Sequence, residues 1–284
     1  PADAAFADDA KTVLRIALPP LPNGEQGQLL LRCRLTVPRC AHRFGVSQDI
    51  WQFGNALPIL AAYENGAWRE DPYSPIGDPF VSDCANYSVT LTVPAGYLCA
   101  ATGRQTAEAV NGGLRYRIEA PAVRDFGFAL SNAWQSAVAK VNGIAVTAYG
   151  PDAAGAKRAA NDAAQALKIF ADLYGAYAWD SLTLCAVDFP FGGMEYPGLV
   201  FLSLPQFEAD WADTLELTIA HETAHQWFYA LVGSDQFREP WQDESPCEYA
   251  TLRYALKRYG QNAYENLKIT RIDAPMRERV SQPV

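Results

Sequence analysis

The strongest constraint on this chain is a five-residue stretch, His221-Glu222-Thr223-Ala224-His225, set in a largely apolar run. Only three histidines occur in 284 residues, and two of them fall here. Leu215, Leu217, Ile219, Trp227, Phe228 and Leu231 surround the pair, and this pattern predicts one long helix over 211–232, ended by Gly233. On a helix, residues four apart share a face, one turn from each other. A buried helix does not hold two imidazoles and a carboxylate without partners, because unpaired polar burial is strongly unfavourable. A metal ion removes that difficulty. Two neutral imidazoles at this spacing suit one zinc ion, which prefers tetrahedral coordination. Glu222, beside a ligand, can then reach a water on the ion and act as general base. The alternative is an ordinary pair of core or surface histidines, and the scarcity of histidine elsewhere weighs against it.

The pair needs a further ligand. His225 is followed by Gln226-Trp227-Phe228 and no later histidine exists, so an acidic residue must serve. The best candidate is Glu244, separated from His225 by eighteen residues. Asp243 and Glu248 compete with it. A second helix is predicted to start at Ser245, with Ser245 and Glu248 as a capping box and Pro246 at the first helical position. Two antiparallel helices joined through Gly233 and Pro240 can return Glu244 to the histidines.

The first half of the chain reads differently. Val13–Leu18, Gln28–Thr36, Tyr87–Val93 and Leu114–Glu119 have the alternating or apolar pattern of short strands. Asn65-Gly66, Asn111-Gly112-Gly113 and Asn142-Gly143 suit tight hairpins, because Asn and Gly tolerate positive φ. Repeated short strands with such turns predict an antiparallel sandwich or saddle. After Gly150-Pro151 the chain turns Ala-rich, and Ala159, Ala163, Leu167, Phe170 and Leu173 mark a helix over 152–174. Strands are predicted at Leu182–Val187 and Leu199–Leu202. The expected organisation is therefore a β-rich domain over 1–149 and a catalytic domain over 150–284.

Composition narrows the partners. Lys and Arg total 23 against 32 Asp and Glu, a net charge of −9, with no basic cluster. A nucleic-acid partner needs a basic footprint and is not expected. An acidic chain is compatible with a cationic partner, such as a peptide with a free amino terminus. No apolar run approaches the ~20 residues that span a bilayer. The six cysteines include no C-x-x-C pair, and buried thiols are expected, with a Cys33–Cys40 disulfide as the alternative.

With these residues in view, the sequence resembles the aminopeptidase N family of gluzincin metallopeptidases. That family shows H-E-x-x-H, eighteen residues, then E, and His221, Glu222, His225 and Glu244 match it. It also carries G-x-M-E-N upstream, where Gly192-Gly193-Met194-Glu195-Tyr196 stands here. The resemblance implies an α+β fold, in which a saddle-like β-rich domain precedes a mixed, mainly helical thermolysin-like zinc-peptidase domain. It implies one Zn²⁺ held by His221, His225 and Glu244, with Glu222 as catalytic base. Substrate binding would fall to Gly192, Gly193, Met194 and Glu195, with Glu195 taking the free α-amino group. By the residues alone, Gly192-Gly193 is only a turn or a place of close backbone approach.

The match has departures. Tyr196 replaces the usual Asn, and Trp241-Gln242-Asp243-Glu244-Ser245-Pro246 replaces the usual W-L-N-E-G-F. The family's oxyanion-stabilising tyrosine lies well beyond the last ligand, and the chain ends at Val284 before that position. Tyr249, Tyr254, Tyr259 and Tyr264 match nothing in the pattern. The expectation is a fragment of a longer zinc aminopeptidase, weak or inactive by itself. The rival expectations are a non-catalytic, zinc-stabilised scaffold that binds peptides or proteins, and a hydrolase of the same fold acting on a non-peptide substrate. His42, the third histidine, is expected to be structural.

Overall fold

The computed structural model describes residues 3–74 and 77–281, a mixed α+β arrangement of antiparallel and mixed sheets with helices. Ala85–Pro94, Gly113–Val123 and Arg104–Val110 form a three-stranded antiparallel sheet with Gly113–Val123 in the centre. Along that central strand Tyr116, Ile118 and Ala120 are buried and their neighbours are not, the period of two that a half-buried strand requires. A four-stranded antiparallel sheet runs in the order Phe44–Ser47, Ile50–Phe53, Phe128–Ser131, Leu98–Ala101. The two sheets share a core that includes Cys99, Tyr116, Ile118, Phe126 and Phe128.

A five-stranded mixed sheet carries the rest. Its order is Gln135–Val141, Ile144–Gly150, Ser181–Val187, Leu199–Ser203, Gly193–Met194. The first pair is antiparallel and is closed by Asn142-Gly143, with φ of 50° and 82°. A two-residue hairpin turn of this kind needs both residues at positive φ. The next two pairings are parallel, and Gly193–Met194 closes the edge antiparallel. Helix α1 (Ala153–Tyr174) makes the crossover between the first two parallel strands. Its N-cap is Asp152, whose carboxylate accepts from the Gly155 N–H at 2.7 Å. Ala156, Ala159, Ala160, Ala163 and Ala166 are buried, and their small side chains let α1 lie close against Val146, Ala148 and Leu184. The sheet takes two strands from the chain up to Gly150 and three from after it.

Helices α2 (Ala212–Ala224) and α3 (Trp241–Tyr259) pack against each other and against α1. They are followed by α4 (Gln261–Lys268) and α5 (Ala274–Ser281). No helix among the described residues is long and apolar enough to cross a membrane.

Four expectations need correction. The helix predicted over 211–232 ends at Ala224. Beyond it the chain folds into tight turns, with Tyr229 at φ 139°, the Ala230 N–H on His225 O and the Val232 N–H on Trp227 O. Apolar content alone does not separate a helix from a buried turn, and Leu231 and Val232 prove to be exposed. The second helix begins at Trp241, not Ser245, so Pro246 lies inside it and Ser245 is no cap. Gln28–Thr36 forms no ladder among the described residues, and Leu29, Leu30, Leu31 and Leu35 are exposed. Its apolar residues suit a strand, but no described strand offers it an edge. Cys99, Cys185 and Cys247 are buried thiols as expected; Cys33, Cys40 and Cys84 are exposed and also free.

Candidate active site

His221 lies in the last turn of α2, and His225 caps its C-terminus in helical backbone. The early end of α2 therefore leaves the two rings one turn apart. Their Nε2 atoms face each other at 3.2 Å. The Nδ1 of His225 lies 3.2 Å from the carbonyl of Phe228, an oxygen delivered by the turn that ends the helix. A proton on Nδ1, donated to that oxygen, leaves Nε2 as a bare lone pair aimed at the site. This is how ring orientation is set behind a metal-binding imidazole. His221 Nδ1 lies 3.4 Å from a Glu248 oxygen, at ion-pair distance but without a hydrogen bond among the described residues.

Glu244 sits in the first turn of α3, inside the helix rather than just before it. Its Oε2 is 3.2 Å from His221 Nε2 and 3.8 Å from His225 Nε2. The three donor atoms lie within 4.8 Å of one another. The rival ligands stay close to the site, Asp243 with an oxygen within 4.8 Å of Glu195 and His225 ligand atoms, but both have other partners. Asp243 accepts from Gln236 Nε2 at 2.5 Å and from the Glu244 N–H. Glu248 pairs with Arg271 at 3.1 Å as well as with His221.

Two buried carboxylates face the same space. Glu222 is 6% exposed and Glu195 4%, and Glu222 Oε2 and Glu195 Oε1 have no hydrogen-bond partner among the described residues. Gly193 explains how Glu222 fits. A Cβ there would stand 2.5 Å from Glu222 Cγ, closer than atoms can pack, so the glycine makes room for the carboxylate. Gly192 carries no such constraint: a Cβ would meet its nearest neighbour at 3.5 Å. Its carbonyl instead accepts from the Ser203 N–H, fixing the edge of the sheet. Met194 is buried and lines the cleft beside Glu195.

Tyr196 is fully buried in the seam between the mixed sheet and the β-rich half. Its hydroxyl donates to Asn55 Oδ1 at 3.0 Å, and Asn55 donates to the buried Asp125 at 2.7 Å. A Cβ at Gly54 would stand 1.9 Å from that hydroxyl, and one at Gly127 would press on the ring at 3.2 Å. Two glycines thus accommodate the tyrosine at this position.

The electrostatics follow from crowding and burial. Burial raises the Glu222 carboxyl to about 8, partly opposed by His221. Burial, then the carboxylates of Asp78, Glu222 and Glu244, hold Glu195 well above its usual range. Burial lowers His225 to about 3, so its ring is neutral at pH 7, the form that binds a metal. Burial also disfavours the charged His221 ring, but Glu244 and Glu248 outweigh it and raise the group to about 10. A divalent cation at the same atoms competes with that proton. The donor set of two imidazoles and one carboxylate, with unpartnered carboxylates beside it, fits a zinc ion.

Sequence reading missed one wall of the cleft. His42, Arg43 and Asp78 come from the β-rich half and line the same cavity of about 230 Å³, with Phe189 and Phe191. His42 packs edge-on against both phenylalanines. It is held there by the buried Gln52, whose amide donates to His42 O at 2.8 Å and to Asp188 O at 3.0 Å. Arg43 pairs with Asp78 and donates to Gly77 O. Nothing local marks these residues, although Phe189 and Phe191 immediately precede the glycines that did stand out. The nearby tyrosines turn away: Tyr254 and Tyr259 both donate to Glu216 at 2.6 Å, and Tyr249 contacts Arg253.

Known proteins carry the same segment. Residues 158–281 match the peptidase family M1 domain. Leukotriene A-4 hydrolase of Xenopus laevis is 34% identical over 97 residues, 34% of this chain and 16% of that protein. Aminopeptidase B of Mus musculus is 33% identical over 111 residues, 38% of this chain and 17% of the relative. Aminopeptidase RNPEPL1 of Mus musculus is 33% identical over 90 residues, 31% and 12% respectively. The chain thus aligns with less than a fifth of the length of each of these relatives. The matched segment contains both motifs and every residue expected to hold the metal, so the similarity to peptidase family M1 falls on the residues that line the site.

Proposed function

We propose that this chain carries the centre of a zinc-dependent aminopeptidase, which removes the first residue from peptides with a free amino terminus. One observation carries the reading. The Nε2 atoms of His221 and His225 converge with Glu244 Oε2, and Glu222 and Glu195, each buried with one carboxylate oxygen that has no hydrogen-bond partner among the described residues, line the same cleft. The names of two of the relatives, aminopeptidase B and aminopeptidase RNPEPL1, agree with it.

His221, His225 and Glu244 would hold the ion. Bound there, zinc supplies Lewis-acid chemistry: it acidifies water and polarises a carbonyl. The protein supplies the rest. Glu222, buried beside the two histidines and facing the cleft, is placed to take a proton from water and pass it to the leaving amine. Gly193 keeps the space that this carboxylate occupies. Glu195, on the edge strand's end and lacking a partner, offers its oxygen to an α-ammonium, which fixes the first peptide bond over Glu222. Around this centre we place a thermolysin-like catalytic domain beside a saddle-like β-rich one, joined through Tyr196.

The test uses the full-length protein and amino-acid amides that release a chromophore, with free and with acetylated amino termini. Hydrolysis of the free forms, lost on chelation and restored by zinc, supports the reading. Equal cleavage of acetylated forms would remove Glu195 as the amine anchor. Bound zinc without hydrolysis of any amide would favour a scaffold.

A further inference from the structure

The inference rests on the aminopeptidase reading and concerns the first residue of the substrate. It starts from a crowd of charge. Carboxylate oxygens of Asp78, Glu195 and Glu244 lie within 4.8 Å of one another, and Glu222 lines the same cleft. An acidic cluster alone says little, but Glu195 Oε1 is buried and has no partner among the described residues. A cation belongs against it.

The charges can be counted. Asp78, Glu195, Glu222 and Glu244 bring four negative charges when ionised. A zinc ion offsets two of them and a substrate α-ammonium one. Arg43 offsets the last through its pair with Asp78. Both partners of that pair are largely buried, with side chains 12% and 17% exposed. Of the neighbouring acids, Glu248 is matched in charge by Arg271, whereas Asp243, which does not line the cleft, accepts only from the neutral Gln236 amide and the Glu244 N–H. With ion and ammonium in place, no carboxylate in the cleft is left for a second positive charge.

The adjoining wall is aromatic. Phe189 and Phe191 meet edge-on with ring centroids 5.4 Å apart, and each meets His42 at 6.4 Å. Phe191 is 56% exposed, an apolar face open at the cleft. An apolar side chain laid there loses water from both surfaces. A charged one gives up hydration without gaining a partner.

We propose that the Arg43–Asp78 pair is a specificity device: by closing the charge of the cleft it selects peptides whose first residue has an uncharged, apolar side chain. Selection of this kind works as much by excluding the wrong group as by holding the right one. Without Arg43, Asp78 would become a site for a guanidinium or ammonium carried by the substrate side chain.

The experiment measures binding and turnover separately. Calorimetry on the zinc-loaded full-length protein compares leucinamide, phenylalaninamide, argininamide and glutamic acid α-amide, and chromogenic amides of the same residues report hydrolysis. The apolar amides are expected to bind tighter than argininamide by roughly tenfold or more. In Arg43→Met that ratio is expected to shrink or invert. The wild-type series stands by itself if the variant does not fold. Argininamide bound as well as leucinamide by the wild-type protein would overturn the proposal and leave the aminopeptidase reading intact. An unchanged ratio in folded Arg43→Met would overturn the role of the pair. If no amide is bound or cleaved, the aminopeptidase reading fails and the proposal fails with it.

Discussion

The floor and the wall of the cleft are built in opposite ways. The floor is α2, the start of α3 and the edge strand Gly193–Met194, and its chemical residues fall within one stretch from Gly192 to Glu244. The wall is His42, Arg43 and Asp78, which precede His221 by well over a hundred residues. Helical spacing dictates the floor: residues four apart must share a face, wherever the helix ends. The wall depends on non-local strand pairing and on Gln52 bridging His42 to Asp188. A motif is thus readable where geometry is local, and silent where a fold brings distant segments together.

The largest effect should come from the floor. Glu222→Gln keeps the shape of the side chain and removes the base. Turnover is expected to fall by about 10³-fold, within the range for general-base loss. Zinc content, measured by atomic absorption on the same sample, should not change. Near-normal turnover would take the base assignment away from Glu222.

Gly193→Ala tests where floor and edge strand meet. The added methyl must displace Glu222 rather than abolish it. A loss of roughly 10²-fold in kcat is expected, the size of effect that a misplacement of about 1 Å produces. KM and zinc content should move little. A variant indistinguishable from wild type would show that Glu222 works from another position.

The seam between floor and wall should show itself in stability first. Gly54→Ala forces a methyl against the Tyr196 hydroxyl. Overpacking of this kind costs about 1–3 kcal/mol, readable as a lower urea midpoint. Pairing it with Tyr196→Phe, which removes the clashing oxygen, should recover part of the loss.

The last expected effect is a pH dependence, read as a slope. Burial raises the Asp125 carboxyl from 3.8 to about 7, against hydrogen bonds from the Phe126 N–H and Asn55. Between those values the folded chain holds a proton that the unfolded chain has released. Stability therefore falls as pH rises from about 4 to 7 and levels above it, with a contribution of at most about 1.4 kcal/mol per pH unit. Asp125→Asn should flatten that slope in urea unfolding followed across the range. An identical slope in the variant would assign it to other groups.

Read beside the structure, the sequence was most informative where one element supplied its own hydrogen bonds. Helix α1 lies where its alanine spacing puts it, with Asp152 as cap. The strands Ala85–Pro94 and Gly113–Val123 follow their alternation. Gln28–Thr36 shows the limit: it has the residues of a strand, but a strand also needs an edge, and composition does not supply one. The turn after His225 shows another. Residues 226–232 are as apolar as a buried helix, yet the Phe228 carbonyl is needed at His225 Nδ1, a demand no periodicity reveals. His42 illustrates the same point from the wall. Alone in a β-rich region it reads as structural, and only the fold places it in the cleft.

The central claim is that His221, His225 and Glu244 form one zinc site whose geometry is set by the floor alone. Equilibrium dialysis against zinc, with metal counted per folded chain, tests it most directly. The account predicts one tightly held ion in the wild-type protein and in Arg43→Met, with retention sharply reduced in His225→Ala and in Glu244→Ala. Full zinc retention in folded His225→Ala or Glu244→Ala, or its loss in folded Arg43→Met, would contradict it.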